Sequence, residues 1–179
     1  MAGGAILDNN VKYYVAGSEL STTNTDPLVF NTNIYVQNNV LFGAAWNDYA
    51  EKRQCDSSIP GTCVIENDDG KLTPSSERLT SGACIISDTY GMCIGETEKA
   101  KVPVAITGRV LAYTYQQREN YHAGMAVCSA PNGTVDIMTR EEIRDYPDAI
   151  VGIVSEIPSY EKWGPSKINV NNRIWIKVK

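Results

Sequence analysis

Read as a pattern of apolar and polar positions, the chain changes texture twice. Residues 1–27 are mostly Gly, Ser, Thr, Asn and Asp with small apolar islands, of which AILDNNVKYYVAG is the largest. A segment this polar buries too little apolar surface to order itself. Ile6, Leu7, Tyr13, Tyr14 and Val15 therefore mark it as a peg that packs on something else. From Pro27 the run PLVFNTNIYVQNNVLFGAAW sets Ile34, Val36 and Val40 against Asn33, Gln37 and Asn39, the alternation of short strands separated by turns. Two such strands are marginal alone. Three copies wrapped around one axis would stabilise them, so residues 1–46 are expected to be an extended β lead-in that trimerises.

Residues 47–179 read as one β-rich body. CVIENDDGKLTPSSERL describes a hairpin, because Gly70 after Asp68-Asp69 supplies the positive φ of a tight turn. GACIISDTYGMCIGE holds two short strands divided by SDTYG. KVPVAITGRVLAYTY is the strongest strand, with a bulge or bend expected at Thr107-Gly108. AGMAVCSAPNGTVDIM is a second hairpin turning at Pro131-Asn132-Gly133. Thr139 then caps a short helix, TREEIRDYP, which has Glu141 and Glu142 in its first turn and stops at Pro147. DAIVGIVSEIP returns to strand, and SYEKWGPSK reads as a loop. In INVNNRIWIKVK, Asn171-Asn172 fits a two-residue hairpin turn, with Ile174, Ile176 and Val178 on one face of the closing strand and Trp175 and Lys177 on the other. Short strands, Gly-containing turns and one short helix predict a mainly β fold, barrel or sandwich-like.

Composition narrows what this body does. At 179 residues, 42% hydrophobic and 21% charged, the chain has the make-up of a soluble globular protein. No apolar run approaches a membrane span, and MAGGAILDNN has neither the basic nor the apolar part of a signal peptide, so membrane insertion is not expected. A net charge of −5 without a dense Lys/Arg cluster argues against nucleic acid as a partner. Five cysteines sit in no CxxC pair and read as free thiols, with Cys55 and Cys63 able to close a loop only in an oxidising setting. The single histidine, His122, falls in the polar loop QQRENYHAG. No GxSxG, HExxH or glycine-rich phosphate loop accompanies it, and no cofactor or metal is implied.

The densest chemistry lies in WNDYAEKR, Trp46 to Arg53. A helical turn over residues 48–52 would bring Asp48 and Glu51, three apart, to one side. Two close carboxylates, one keeping a proton, can act as acid and base on a peptide bond. Asn47 offers a second route, since its side-chain amide can attack its own carbonyl carbon and break the bond to Asp48. The competing structural role is that Asp48 and Glu51 cap a turn and pair with Lys52, Arg53 or a neighbouring subunit. Structural ion pairs outnumber catalytic dyads, so the residues alone favour that role.

The run FGAAWNDYAEKR, with Thr107-Gly108-Arg109-Val110 and Val151-Gly152-Ile153-Val154 further on, resembles the autoproteolytic C-terminal intramolecular chaperone domain of Bacillus phage pre-neck appendage (tailspike) proteins. The similarity covers about residues 40–178. It implies a β-rich domain that trimerises at the end of a phage fibre or spike and, in several members, cuts itself just before the Asp of the Asp-Tyr-Ala-Glu motif. By position the scissile bond is Asn47–Asp48, with Asp48 and Glu51 as the catalytic carboxylates. Asn47 stands where the family pattern has Ser, and 47 residues precede the bond.

The expectation is therefore a bacteriophage virion protein made in the host bacterial cytoplasm. It would be a homotrimeric fibre, appendage or capsid-decorating component, held to other virion proteins through residues 1–46. Two alternatives compete with this reading. One is a single-turnover self-cleaving chaperone. The other is a tip that binds a host surface, with Tyr113, Tyr115, Tyr121, Tyr160 and Trp163 as a sugar or protein contact.

Overall fold

The computed structural model describes residues 13–15, 18–20, 47–95, 97–164 and 167–178. The chain divides into two units, Met1–Leu41 and Phe42–Lys179. In the first, β1 (Tyr13–Val15) and β2 (Ser18–Leu20) pair antiparallel, with Tyr14 opposite Glu19. The strands expected over residues 27–46, and the packing expected of Ile6 and Leu7, lie outside the described residues.

The second unit is mainly β, as the sequence predicts. Its strands are β3 (Asp48–Arg53), β4 (Cys63–Glu66), β5 (Leu72–Pro74), β6 (Cys84–Ile86), β7 (Tyr90–Ile94), β8 (Val102–Ala112), β9 (Ala126–Ala130), β10 (Thr134–Ile137), β11 (Ile150–Glu156), β12 (Lys162–Trp163), β13 (Ile168–Asn169) and β14 (Ile174–Val178). One α-helix, α1 (Arg140–Asp145), lies between β10 and β11. Ten strands form a single curled sheet in the order β10-β9-β11-β14-β8-β6-β4-β5, with β3 branching from β8 and β7 pairing on β3. Beyond the end of β8, Tyr113 and Tyr115 exchange main-chain bonds with Val135 of β10, so the sheet curls back towards its own start.

The local rules explain most of these elements. The turn between β4 and β5 carries Gly70 at φ +73°, and the turn between β9 and β10 carries Asn132 at φ +62°. Both are backbone states in which Gly and Asn cost least. Thr139 accepts the Glu142 N–H at 3.1 Å while the Glu142 carboxylate accepts the Thr139 N–H at 2.8 Å, a capping box that starts α1. The bulge in β8 falls one step earlier than expected. Tyr49 faces Thr107 and Ala50 faces Ala105, which leaves Ile106 as the extra residue, next to Gly108.

Two local expectations are corrected. Asn171 and Asn172 do form a left-handed turn, at φ 50° and 60°, but β13 pairs with β12 while β14 lies between β8 and β11. The segment read as the loop SYEKWGPSK thus contributes β12 to a small hairpin. That hairpin brings Tyr160, Trp163 and Ile168 over Trp175 and Leu111, so β14 is buried on both faces. Inside the curl, Val110, Val127, Val135, Val154, Ile174 and Ile176 form the main core with Tyr121.

Candidate functional site

The reactive stretch is a strand. Asp48–Arg53 pairs antiparallel with β8 and parallel with β7, so residues 48–52 do not make the helical turn that would have brought Asp48 and Glu51 together. In a strand, residues three apart point to opposite faces and sit about 10 Å apart along the chain. Asp48 and Ala50 face inward, while Tyr49 and Glu51 face out. The two carboxylates are therefore not neighbours. Glu51 lies 3.8 Å from Arg53, which also pairs with Glu66 at 2.6 Å, the ion-pair role that competed with catalysis.

Asp48 has a different setting. Only 2% of it is exposed. Its Oδ1 accepts the Thr89 hydroxyl at 2.7 Å, and Thr89 in turn is braced by Ser87, whose Oγ accepts the Thr89 N–H at 3.0 Å. Its Oδ2 is buried without a hydrogen-bond partner among the described residues. Burial pushes the carboxyl up to about 6 from 3.8; the Thr89 and Ser87 hydroxyls oppose the shift and the charge of Asp88 adds to it.

The Asn47–Asp48 peptide itself is held on several sides. The Asn47 carbonyl accepts the Arg109 N–H at 2.7 Å, and the Asn47 N–H donates to the Thr89 carbonyl at 3.4 Å. A Cβ at Gly108 would stand 2.2 Å from the Asn47 oxygen and 2.7 Å from the Asp48 Cα, so only glycine admits this approach of β8 to the junction. The Arg109 guanidinium donates to Asn47 Oδ1 at 3.3 Å, lies 3.6 Å from Glu156 and stacks 5.3 Å from the Trp175 ring. The Asn47 Nδ2 is buried and has no acceptor among the described residues.

This arrangement lacks a carboxylate dyad. It does place one N–H donor on the carbonyl that would carry negative charge during attack, beside a free amide nitrogen of the same residue. Sequence reasoning named Asn47 and Asp48 and missed Thr89, because SDTYG served only as a divider between strands. Gly108 and Arg109 entered only as part of a strand in the resemblance. The small space against Asn47 was not visible in their identities.

The remaining candidates are placed as follows. His122 is exposed in its loop. All five cysteines, Cys55 and Cys63 included, are free thiols, and burial pushes Cys63 and Cys84 up to about 12. Of the five aromatic residues considered for a contact surface, Tyr121 is fully buried and Trp163 packs edge-on to Trp175, while Tyr115 stands out. Among the described residues, no helix is long and apolar enough to cross a membrane, and no group of three His, Cys, Asp or Glu could hold a metal.

On the outer side of β7, Tyr90, Met92 and Ile94 alternate outward, with Ile94 55% exposed, and Tyr49 of β3 and Ile106 of β8 are exposed beside them. Among the described residues, β7 pairs with β3. No family model, no curated protein and no solved structure matches the chain.

Proposed function

We propose that the chain is a structural component of a bacteriophage particle, a β-rich appendage or decorating protein that assembles with further copies of itself as a homotrimer. The observation that carries this is the exposed apolar row Tyr90, Met92 and Ile94 along β7. An exposed apolar row of this kind invites association with another protein surface. Contact with another copy would cover it, and this agrees with the resemblance in the residues around Asp48. The same row makes the proposal testable. Size exclusion with light scattering on the full chain is expected to give three chains per particle, and Met92→Lys with Ile94→Lys is expected to give single chains. A wild-type monomer at micromolar concentration overturns the proposal.

A second reading, single self-cleavage before Asp48, is favoured by the buried Asn47 Nδ2, without an acceptor among the described residues, beside a carbonyl held by the Arg109 N–H. In that step the Nδ2 bonds to the Asn47 carbonyl carbon, the bond to the Asp48 nitrogen breaks, and the displaced proton passes to that nitrogen. The products are a chain beginning at Asp48 and an N-terminal piece ending in a cyclic imide, one water lighter than hydrolysis would leave it. Intact-mass measurement on aged protein separates the outcomes. Uncut chains remove this reading and leave the trimer proposal standing.

A further inference from the structure

Apart from the Asn47–Asp48 junction, the described body carries two clefts that share Arg118 and Asn172. One, of about 340 Å³, is walled by Tyr160, Glu161 and Asn171. The other, of about 460 Å³, is walled by Thr114, Gln117 and Glu119. Each falls within the size range of ligand sites, yet neither has the apolar walls usual for them. The groups on offer are amides, hydroxyls, two carboxylates and the shared Arg118, with Pro158 and Val170 in the first cleft.

The frame behind these groups is fixed. Asn171 and Asn172 sit in a left-handed turn anchored from beneath by Arg173, which is 1% exposed. Arg173 donates to the Val170 carbonyl at 3.0 Å and holds Asp88 with two bonds of 2.9 Å. Arg118 donates to the Pro158 carbonyl. The Tyr160 hydroxyl accepts the Trp175 indole N–H at 2.8 Å, which pins that ring. By contrast, the side-chain amides of Asn171, Asn172 and Gln117 have no hydrogen bond among the described residues. These exposed amides, carried on an anchored turn and loop, offer paired donors and acceptors to a ligand.

We infer that these joined clefts bind a neutral oligosaccharide. Each sugar hydroxyl both donates and accepts, as does each side-chain amide, so adjacent hydroxyls can be matched two at a time. One arginine, already engaged, against Glu119 and Glu161 disfavours phosphate, sulfate and nucleic-acid ligands. The scarcity of apolar wall disfavours lipids. The inference gives the host-surface alternative a different set of residues from the aromatic one, and it stands or falls apart from the trimer proposal.

The Tyr160–Trp175 contact gives the test its readout. Intrinsic tryptophan fluorescence of the full chain, backed by calorimetry, would be followed while chitohexaose and maltohexaose are added, with a heparin hexasaccharide and inorganic phosphate as anionic probes. At least one neutral hexasaccharide is expected to saturate with a Kd of about 1 mM or lower, with neither anion competing. Asn172→Gly keeps the positive φ of its turn and removes the amide, and Gln117→Ala removes the second. Each is expected to weaken binding about tenfold at unchanged thermal stability. No saturation by either neutral sugar at about 10 mM overturns the inference, as do tighter binding of an anion or equal binding by both variants.

Discussion

Two aspartates lie equally deep in this sheet and live in opposite circumstances. Asp136 on β10 is 4% exposed, and its oxygens meet the Arg78 guanidinium, the Gln116 amide at 2.7 Å and the Ile137 N–H at 2.9 Å. Arg78 continues to Glu142 at 2.8 Å, and Glu142 closes the capping box of α1. Asp48 on β3 has the Thr89 hydroxyl, one orphaned oxygen and a neighbouring acid in Asp88. Depth alone does not set the character of a buried carboxylate; the number and sign of its partners does. The first is a rivet between helix, hairpin and loop. The second is a charge kept at a cost to stability, the usual mark of a group with another task or a missing partner.

Removing each carboxyl should therefore have opposite effects. Asp136→Ala leaves Arg78 without its buried partner and is expected to lose about 3–5 kcal/mol in urea unfolding at pH 7. A loss below about 1 kcal/mol would break the contrast. For Asp48 the native group titrates near 6 and the unfolded one near 3.8, so between those values the folded chain holds more protons. Stability from this group is then full below pH 3.8 and falls as pH rises through 6, by about 3 kcal/mol for a shift of roughly two units. Asp48→Asn is expected to erase that slope and to be the more stable protein at pH 8. Unfolding curves from pH 4 to 8 check this, and an unchanged slope would refute it.

Smaller effects sharpen the contrast. Gly108→Ala forces a methyl onto the Asn47 carbonyl at a backbone φ of +104°, with an expected loss of about 2–3 kcal/mol in the same unfolding assay. Thr89→Val keeps the shape and removes the 2.7 Å hydrogen bond to Asp48, for about 1–2 kcal/mol at pH 8. It should also raise the Asp48 titration midpoint further, as a carboxyl-carbon NMR titration would record. A midpoint that falls instead would assign Asp48 another donor.

The contrast also explains what could be read from the residues. Hairpins at Gly70 and Asn132 and the capped helix at Thr139 were legible because their signals lie within a few positions of each other. The strand β3 was not, because Asp48 occupies an inward position where alternation leads one to expect an apolar side chain, and its partners β7 and β8 lie about forty and sixty residues away. Arg173 was invisible for the same reason, a charge placed where a core residue is expected and satisfied by Asp88 from a distant loop. At the candidate site, Asn47 and Asp48 stood out by chemistry and by the resemblance. Their surroundings, Thr89 below and Gly108 alongside, depend on nonlocal pairing.

The position of β14 has a kinetic consequence. It is the last of the described strands, and it fills the place between β8 and β11. Until it inserts, both neighbours present bare edges to each other and to other chains. The sheet cannot be completed in the order of synthesis, since its middle arrives after its rims. Folding of this domain is accordingly expected to be slow, governed by long-range pairing, and exposed to misassembly until Ile174–Val178 is in place.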